Sequence, residues 1–255
     1  MNLFYRLFVF DIKRRAKSGF TIGYNVIFPV VMIFLLGYLL SSNFSNGISS
    51  YSYYTLVMIP FCCTMAVITA AYAGKDESYA KTAYRLLVAP VKEQHIFLAK
   101  LLSCLIIFSV CNIIVLIAAK LLWHITMGKN IIGVIVLLIA ETFCTCAGGL
   151  FIGLGMKNFV IVKNFLNIPI LVCAVMGGSF YPMGTLNKSV QLIFNLSPLT
   201  WINKSIFLSI YDHNDATLWI TTFSLCIVGG LFTLAGIKSF NKEEFLNGDL
   251  PSYEK

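Results

Sequence analysis

Six runs of apolar residues occupy most of this 255-residue chain: 21–40, 54–74, 96–122, 131–155, 164–181 and 217–237. A helix needs about 20 such residues to cross the ~30 Å hydrocarbon core of a bilayer. Within lipid no water satisfies a free backbone N–H or C=O, so a single apolar run is confined to helix. The expectation is an all-α membrane protein with six transmembrane helices in one domain, 1–255, with too little chain left for a soluble catalytic domain. Composition agrees, with 58% AVILMFWYC and 12% charged residues against about 25% charged in a soluble domain. Mean hydropathy is +0.82.

A net charge of +8 could suit nucleic acid, but the basic residues sit beside apolar spans. Anionic headgroups and the positive-inside rule explain them, so the expected partners are membrane lipids and no nucleic acid. With the N-terminus inside, fifteen Lys and Arg fall on the inner side and its helix edges, leaving Lys120, Lys129, Lys188 and Lys204 outside. An even number of spans then returns the C-terminus to the same side. This predicts a multi-pass plasma-membrane protein with both termini cytoplasmic. The first run exceeds the roughly 7–15 residues of a signal-peptide core and should remain attached. Cys62, Cys63, Cys104, Cys111, Cys144, Cys146, Cys173 and Cys226 all fall in the spans without a Cys-x-x-Cys pair. They read as packing residues, with no disulfide framework and no metal site.

Between the spans, three segments carry pattern. In residues 1–18, Phe4, Leu7, Phe8 and Ile12 recur at helical spacing while Arg6, Lys13 and Lys17 lie on another face. This predicts an amphipathic interfacial helix, the alternative being a stretch that only supplies orientation charges. In the inner loop, 75–95, Glu77, Lys81 and Arg85 are spaced as an i, i+4, i+8 row and Pro90 stops the helix. A short charged helix parallel to the membrane follows, either a solvated connector or a docking helix. In the outer segment, 182–216, Pro182 and Pro198 interrupt helix, 190–194 is apolar but too short to cross, and Trp201 favours an interface. Short re-entrant helices in the outer leaflet fit it.

Inside the fourth span Glu141 lies near the bilayer midplane. A carboxyl group there is costly, and it either holds two helices together or lines a pathway. Gly149 and Gly153 follow as a Gly-x-x-x-Gly step that allows another helix to approach closely.

The loop sequence Glu77, Thr82, Arg85-Leu86-Leu87-Val88-x-Pro90 resembles the membrane subunits of type-two ATP-binding-cassette exporters, the class of drug, antibiotic and peptide exporters. A second match is Gly178-Ser179-Phe180-Tyr181-Pro182, then Leu186, then Asn195-Leu196-Ser197-Pro198-Leu199-Thr200-Trp201. The chain departs from the family pattern at Lys81, often Gly, at Tyr79 and Tyr84, often acidic, at Ala89, often Thr, and at Asn187, often Pro. The resemblance implies that Glu77, Lys81, Thr82, Arg85, Leu86 and Pro90 form a coupling helix against cytoplasmic nucleotide-binding ATPase subunits. It further implies an outer gate at Pro182, Asn195, Pro198 and Trp201, and pairing with a second copy or homologue as a dimer. No phosphate-binding loop occurs in the chain, so ATP and Mg would be bound by the partner and no cofactor by this chain. Neither a His-Glu-x-x-His nor a Gly-x-Ser-x-Gly motif is present, and His95, His124 and His213 lie in three separate hydrophilic regions. The expected role is a non-catalytic permease subunit exporting hydrophobic or amphipathic cargo such as a drug, antimicrobial peptide, toxin or lipid. A secondary transporter is the rival, and an intramembrane enzyme a weaker one.

Overall fold

A computed structural model describes residues 3–44, 48–89, 91–125, 130–157, 159–182 and 188–247, and among them there are helices and no strands. Helix α1 is Leu3–Ala16 and α2 Gly19–Leu39. Next come α3 Ser50–Tyr79, the short α4 Ala83–Val88, α5 Glu93–Trp123, α6 Ile131–Gly155 and α7 Phe159–Met176. The series ends with α8 Lys188–Phe194, α9 Pro198–Tyr211, α10 Ala216–Lys238 and α11 Lys242–Asn247. Among the described residues five helices, α2, α3, α5, α6 and α10, are long and apolar enough to cross a membrane. With 18 residues, α7 rises only about 27 Å.

Burial decides which helix is central. The most apolar stretch of α3 is 78% buried, against 22% for α2 and for α10, which turn most of their side chains outward. Side chains on those outer helices, such as Phe34, Tyr38, Phe223 and Leu231, are exposed and apolar, which suits contact with lipid. The bundle is therefore arranged around α3, and α6 packs backbone against backbone on it. A Cβ on Gly149 would lie 2.4 Å from the Val67 carbonyl oxygen, and one on Gly153 would lie 2.3 Å from that of Ala71. Only glycine allows helices this close, so the Gly-x-x-x-Gly step acts in packing.

In α2 the turn Gly23–Ile27 is a π-helix. Pro29 has no N–H to return to the carbonyl of Asn25, and its ring crowds that carbonyl, which explains the local widening. Two apolar cores stack along the bundle. One gathers Tyr54, Met58, Leu137, Ile202 and Leu218 at the α9 end, and the other Ala70, Phe97, Leu101, Leu150 and Phe245 at the α4 end.

Several boundaries differ from the apolar runs. Helix α3 begins before residue 54 and continues past residue 74 through Lys75, Asp76 and Glu77 to Tyr79, because its charged last turns are held by neighbours and have no need of water. The fifth span runs from Phe159 and stops at Met176, so 177–181 is turn. The C-terminal helix α11, which no sequence pattern had singled out, folds back under α4 and buries Phe245.

Candidate coupling site

The inner loop does not form one charged helix. Lys81 takes a left-handed conformation, φ +54°, and separates Glu77 on α3 from Arg85 on α4, so the expected row Glu77, Lys81, Arg85 does not exist. The break is a Schellman cap: the Thr82 N–H donates to the Glu77 carbonyl at 2.9 Å and the Lys81 N–H to that of Ser78 at 3.0 Å. Such a cap favours glycine at the left-handed position. That gives a physical reason for the Gly often found there in the resembling family and a small cost for Lys81.

Beyond the cap, α4 has two faces. Ala83 is buried, and Leu86 and Leu87 pack with Phe97, Leu101 and Phe245. Tyr84, Arg85 and Val88 face outward, as do Lys81 and Tyr79 before them. Pro90, expected to stop this helix, lies outside the described residues. The C-terminal helix supports α4 from below, with Lys242 paired to Glu93 at 2.8 Å and the Asn241 N–H donating to the Leu154 carbonyl at 3.1 Å.

Glu77 faces inward and is 4% exposed. It pairs with the buried Lys100 of α5 and, at 3.0 Å, with Arg14 of α1. Lys100 also donates to the Ala73 carbonyl at 2.8 Å. Asp76 lies 3.6 Å from Arg14 and 3.7 Å from Arg15, and the Arg15 Nε donates to Ser103 at 3.0 Å. Asp11, also buried, completes the set, and burial raises its pKa above the ordinary value against the pull of Lys100. The N-terminal helix α1 is thus packed on the bundle by its charged face. Its Arg14 and Arg15 lock it to α3 and α5, with Asp11 buried beside them, while Tyr5 and Phe10 remain exposed. Sequence reading placed Arg14 and Arg15 among the orientation charges and left Asp11 and Ser103 unremarked. The available signal was Asp11 and Arg15 four residues apart on one helix face.

This arrangement is a rigid root with an exposed tip. Three helices converge on Glu77, five residues before Thr82 opens α4, and ion pairs tie α1, α3 and α5 together there. Charges held at low dielectric resist displacement more than surface pairs do.

At the opposite end, Gly178 with φ +72° caps α7 by the same device: the Ser179 N–H donates to the Ala174 carbonyl at 3.0 Å and the Gly178 N–H to that of Val175 at 3.1 Å. The last α7 carbonyls are then taken by α9. Ser197 donates to Cys173 at 3.0 Å, Thr200 to Met176 at 3.2 Å and Asn203 to Gly177 at 2.8 Å. These side chains satisfy the orphan carbonyls of a helix terminus within a largely buried junction. Tyr53 and Tyr54 of α3 donate to the carbonyls of Gly178 and Phe180. Of the sequence-predicted outer residues, Pro198 opens α9 and the Trp201 indole N–H donates to the Asn195 carbonyl at 2.7 Å. Pro182 follows the cap; 183–187, with Leu186 and Asn187, lie outside the described residues. Helix α9, about 21 Å long by rise, is too short to cross, and its Leu199, Ile202 and Ile206 are buried in the core.

Glu141 is 1% exposed and turned toward α3, where Thr64 donates to it at 3.0 Å. At the next residue, Asn112 of α5 donates to Thr142 at 3.1 Å, and Thr142 donates to the Leu138 carbonyl at 2.7 Å. Cys63 of α3 lies 3.1 Å from the Thr142 hydroxyl, so this polar cluster ties three helices within one chain. Sequence reading missed Asn112 and Thr142. Among the described residues no group of His, Cys, Asp and Glu could hold a metal, and the cysteines are free.

The sequence model of the ABC-2 type transporter matches residues 2–211, from α1 through α9. No curated protein matches the chain.

Proposed function

Since the chain belongs to the ABC-2 type transporter family and is a multi-pass membrane subunit of that kind, we propose that it exports hydrophobic or amphipathic cargo using ATP hydrolysed by a separate partner. The carrying observation is the exposed Tyr84, Arg85 and Val88 face of α4, rooted through Thr82 and the Lys81 cap on the buried Glu77 ion pairs. That face seats the nucleotide-binding subunit, and ATP and Mg belong to the partner. The α4 end is cytoplasmic, in line with the excess of Lys and Arg there, and both termini lie on that side of the plasma membrane. A second copy or homologue supplies the other half of the pathway, while Pro182, Asn195, Pro198 and Trp201 form its outer gate.

Transport follows as alternation between two packings of the halves, driven at α4. Cargo is of the drug, antimicrobial peptide, toxin or lipid kind, in keeping with a chain that exposes so much apolar surface and so little cytoplasmic mass. The test is cargo movement into vesicles holding the chain and its ATPase partner. ATP-dependent transport should be lost when the partner's phosphate-binding Lys is replaced. It should also be lost in the double variant Tyr84→Ala/Arg85→Glu, with thermal stability of the chain unchanged because both side chains point outward. Transport by this chain alone on a proton or sodium gradient would refute the reading.

A further inference from the structure

Between α1, the first turn of α2 and the last turns of α3 lies a cavity of about 90 Å³. One water needs about 10–15 Å³ by the same measure, so a group of several heavy atoms fits. Arg14 and Arg15 line it together with Ser18, Thr69, Tyr72 and Asp76.

Arg15 is the informative residue. It is 4% exposed, its Nε is used by Ser103, and its buried Nη2 has no hydrogen-bond partner in the protein. A guanidinium carries five N–H donors in a planar fork, and a buried charged donor left without an acceptor is costly. Asp76 only partly compensates. Its contacts with the two arginines, at 3.6 and 3.7 Å, exceed the roughly 2.7–2.9 Å of a charge-assisted hydrogen bond. Glu77 is committed to Lys100 and Arg14. The lining itself holds two cations to one carboxylate; behind it stand one more carboxyl group, the buried Asp11, and one more cation, Lys163, which donates to the Tyr72 hydroxyl at 2.6 Å. Phe20, stacked edge-on against Tyr72 at 5.7 Å and half exposed, stands at the outer side.

We propose that this cavity binds a phosphate group through Arg15 and Arg14, in the planar two-donor manner that guanidinium groups offer to phosphate. The phosphate comes either from the headgroup of an anionic phospholipid or from free inorganic phosphate. Bound there, it bridges the two arginines that line the cavity and joins α1 to the foot of α2. The site needs neither the ATPase partner nor any cargo, so it stands apart from the exporter reading.

The test uses the full chain purified and delipidated in an uncharged detergent. It is titrated separately with inorganic phosphate, dioctanoyl-phosphatidylglycerol and, as a phosphate-free control, dioctanoylglycerol, with bound mass read by native mass spectrometry. The wild type should retain one phosphatidylglycerol or one phosphate, and no diacylglycerol. Binding should fall at least tenfold in Arg15→Lys, which keeps the charge and loses the fork. It should fall similarly in Thr69→Leu, which fills the cavity and leaves every charge in place. Phosphate that displaces the lipid at comparable concentration assigns a free-anion site; lipid displaced only by large excess assigns a headgroup site. No retention of either by the wild type overturns the proposal, the cavity then holding water only. So does undiminished binding by either variant, and if one variant fails to fold the other decides.

Discussion

Replacing Glu77 by Gln removes one charge from the root of α4 and leaves the shape nearly unchanged. Glu77 and Lys100 have side chains 5% and 1% exposed, so Lys100 would keep its ammonium charge and lose its carboxylate partner, left to the neutral Gln oxygen and the Ala73 carbonyl. Breaking one partner out of a buried pair costs about 3–5 kcal/mol, because the remaining charge is stranded away from water. Arg14 is less affected, being 27% exposed on its side chain and still near Asp76. The expected loss is therefore about 3 kcal/mol, the low end of that range. Most of the free cysteines are buried, so a thiol-reactive fluorophore reports thermal unfolding in detergent directly. The pair can also be removed as a unit. Glu77→Gln combined with Lys100→Met should recover most of the loss, since a buried pair replaced by uncharged groups of similar volume is often neutral. If Glu77→Gln unfolds within about 0.5 kcal/mol of wild type, the change typical of an exposed surface site, then Glu77 is solvated and the rooted-helix argument fails.

Three further outcomes follow from other positions. Lys81→Gly should stabilise by up to about 1 kcal/mol, since the left-handed cap costs a side chain roughly 1–2 kcal/mol and the glycine costs the unfolded chain about 0.4–1 in entropy; Lys81→Val should destabilise in the same melting assay. Glu141→Gln retains the acceptor for Thr64 and should leave folding and transport near wild type, because the side chain bridges α6 to α3 inside one chain; selective loss of transport would assign it to a pathway instead. Asp11 has a folded pKa raised by burial from 3.8, so the native state binds the extra proton and stability falls as pH rises above that value. Asp11→Asn should flatten the loss of melting stability as pH rises above 3.8, and a wild type that gains stability from this group as pH rises from that value would contradict the sign.

Much of the architecture is legible in the sequence alone, for a plain physical reason. Lipid demands that backbone groups be satisfied within the segment, so apolar length alone locates a span, and 131–155 coincides with α6 to the residue. The span starting at 164 was misplaced because Lys163, which looks like a boundary, is held against Tyr72 and lets the helix start at Phe159. Charged residues mark the end of a helix only when they need water, and Lys75, Asp76 and Glu77 at the foot of α3 are packed against neighbours. The same blindness turned Glu77, Lys81 and Arg85 into a helical row, since spacing carries no information about a positive φ at Lys81.

The sequence by itself determined that this chain is helical and membrane-embedded, that Gly149 and Gly153 permit a close crossing, and that the segments after spans two and five are special. Those properties are local, set by solvent and by backbone chemistry along the chain. Only the tertiary structure decided which charges are buried together. Asp11, Arg14, Arg15, Glu77, Lys100 and Ser103 are spread from α1 to α5, and each alone reads as an ordinary surface or span-edge residue. Their pairing depends on how three helices converge. So does the seat of α11 beneath α4, whose Phe245 finds its apolar surroundings only after α3, α4 and α6 are in place. Burial is a property of the assembled bundle, and the electrostatic meaning of a side chain changes with it.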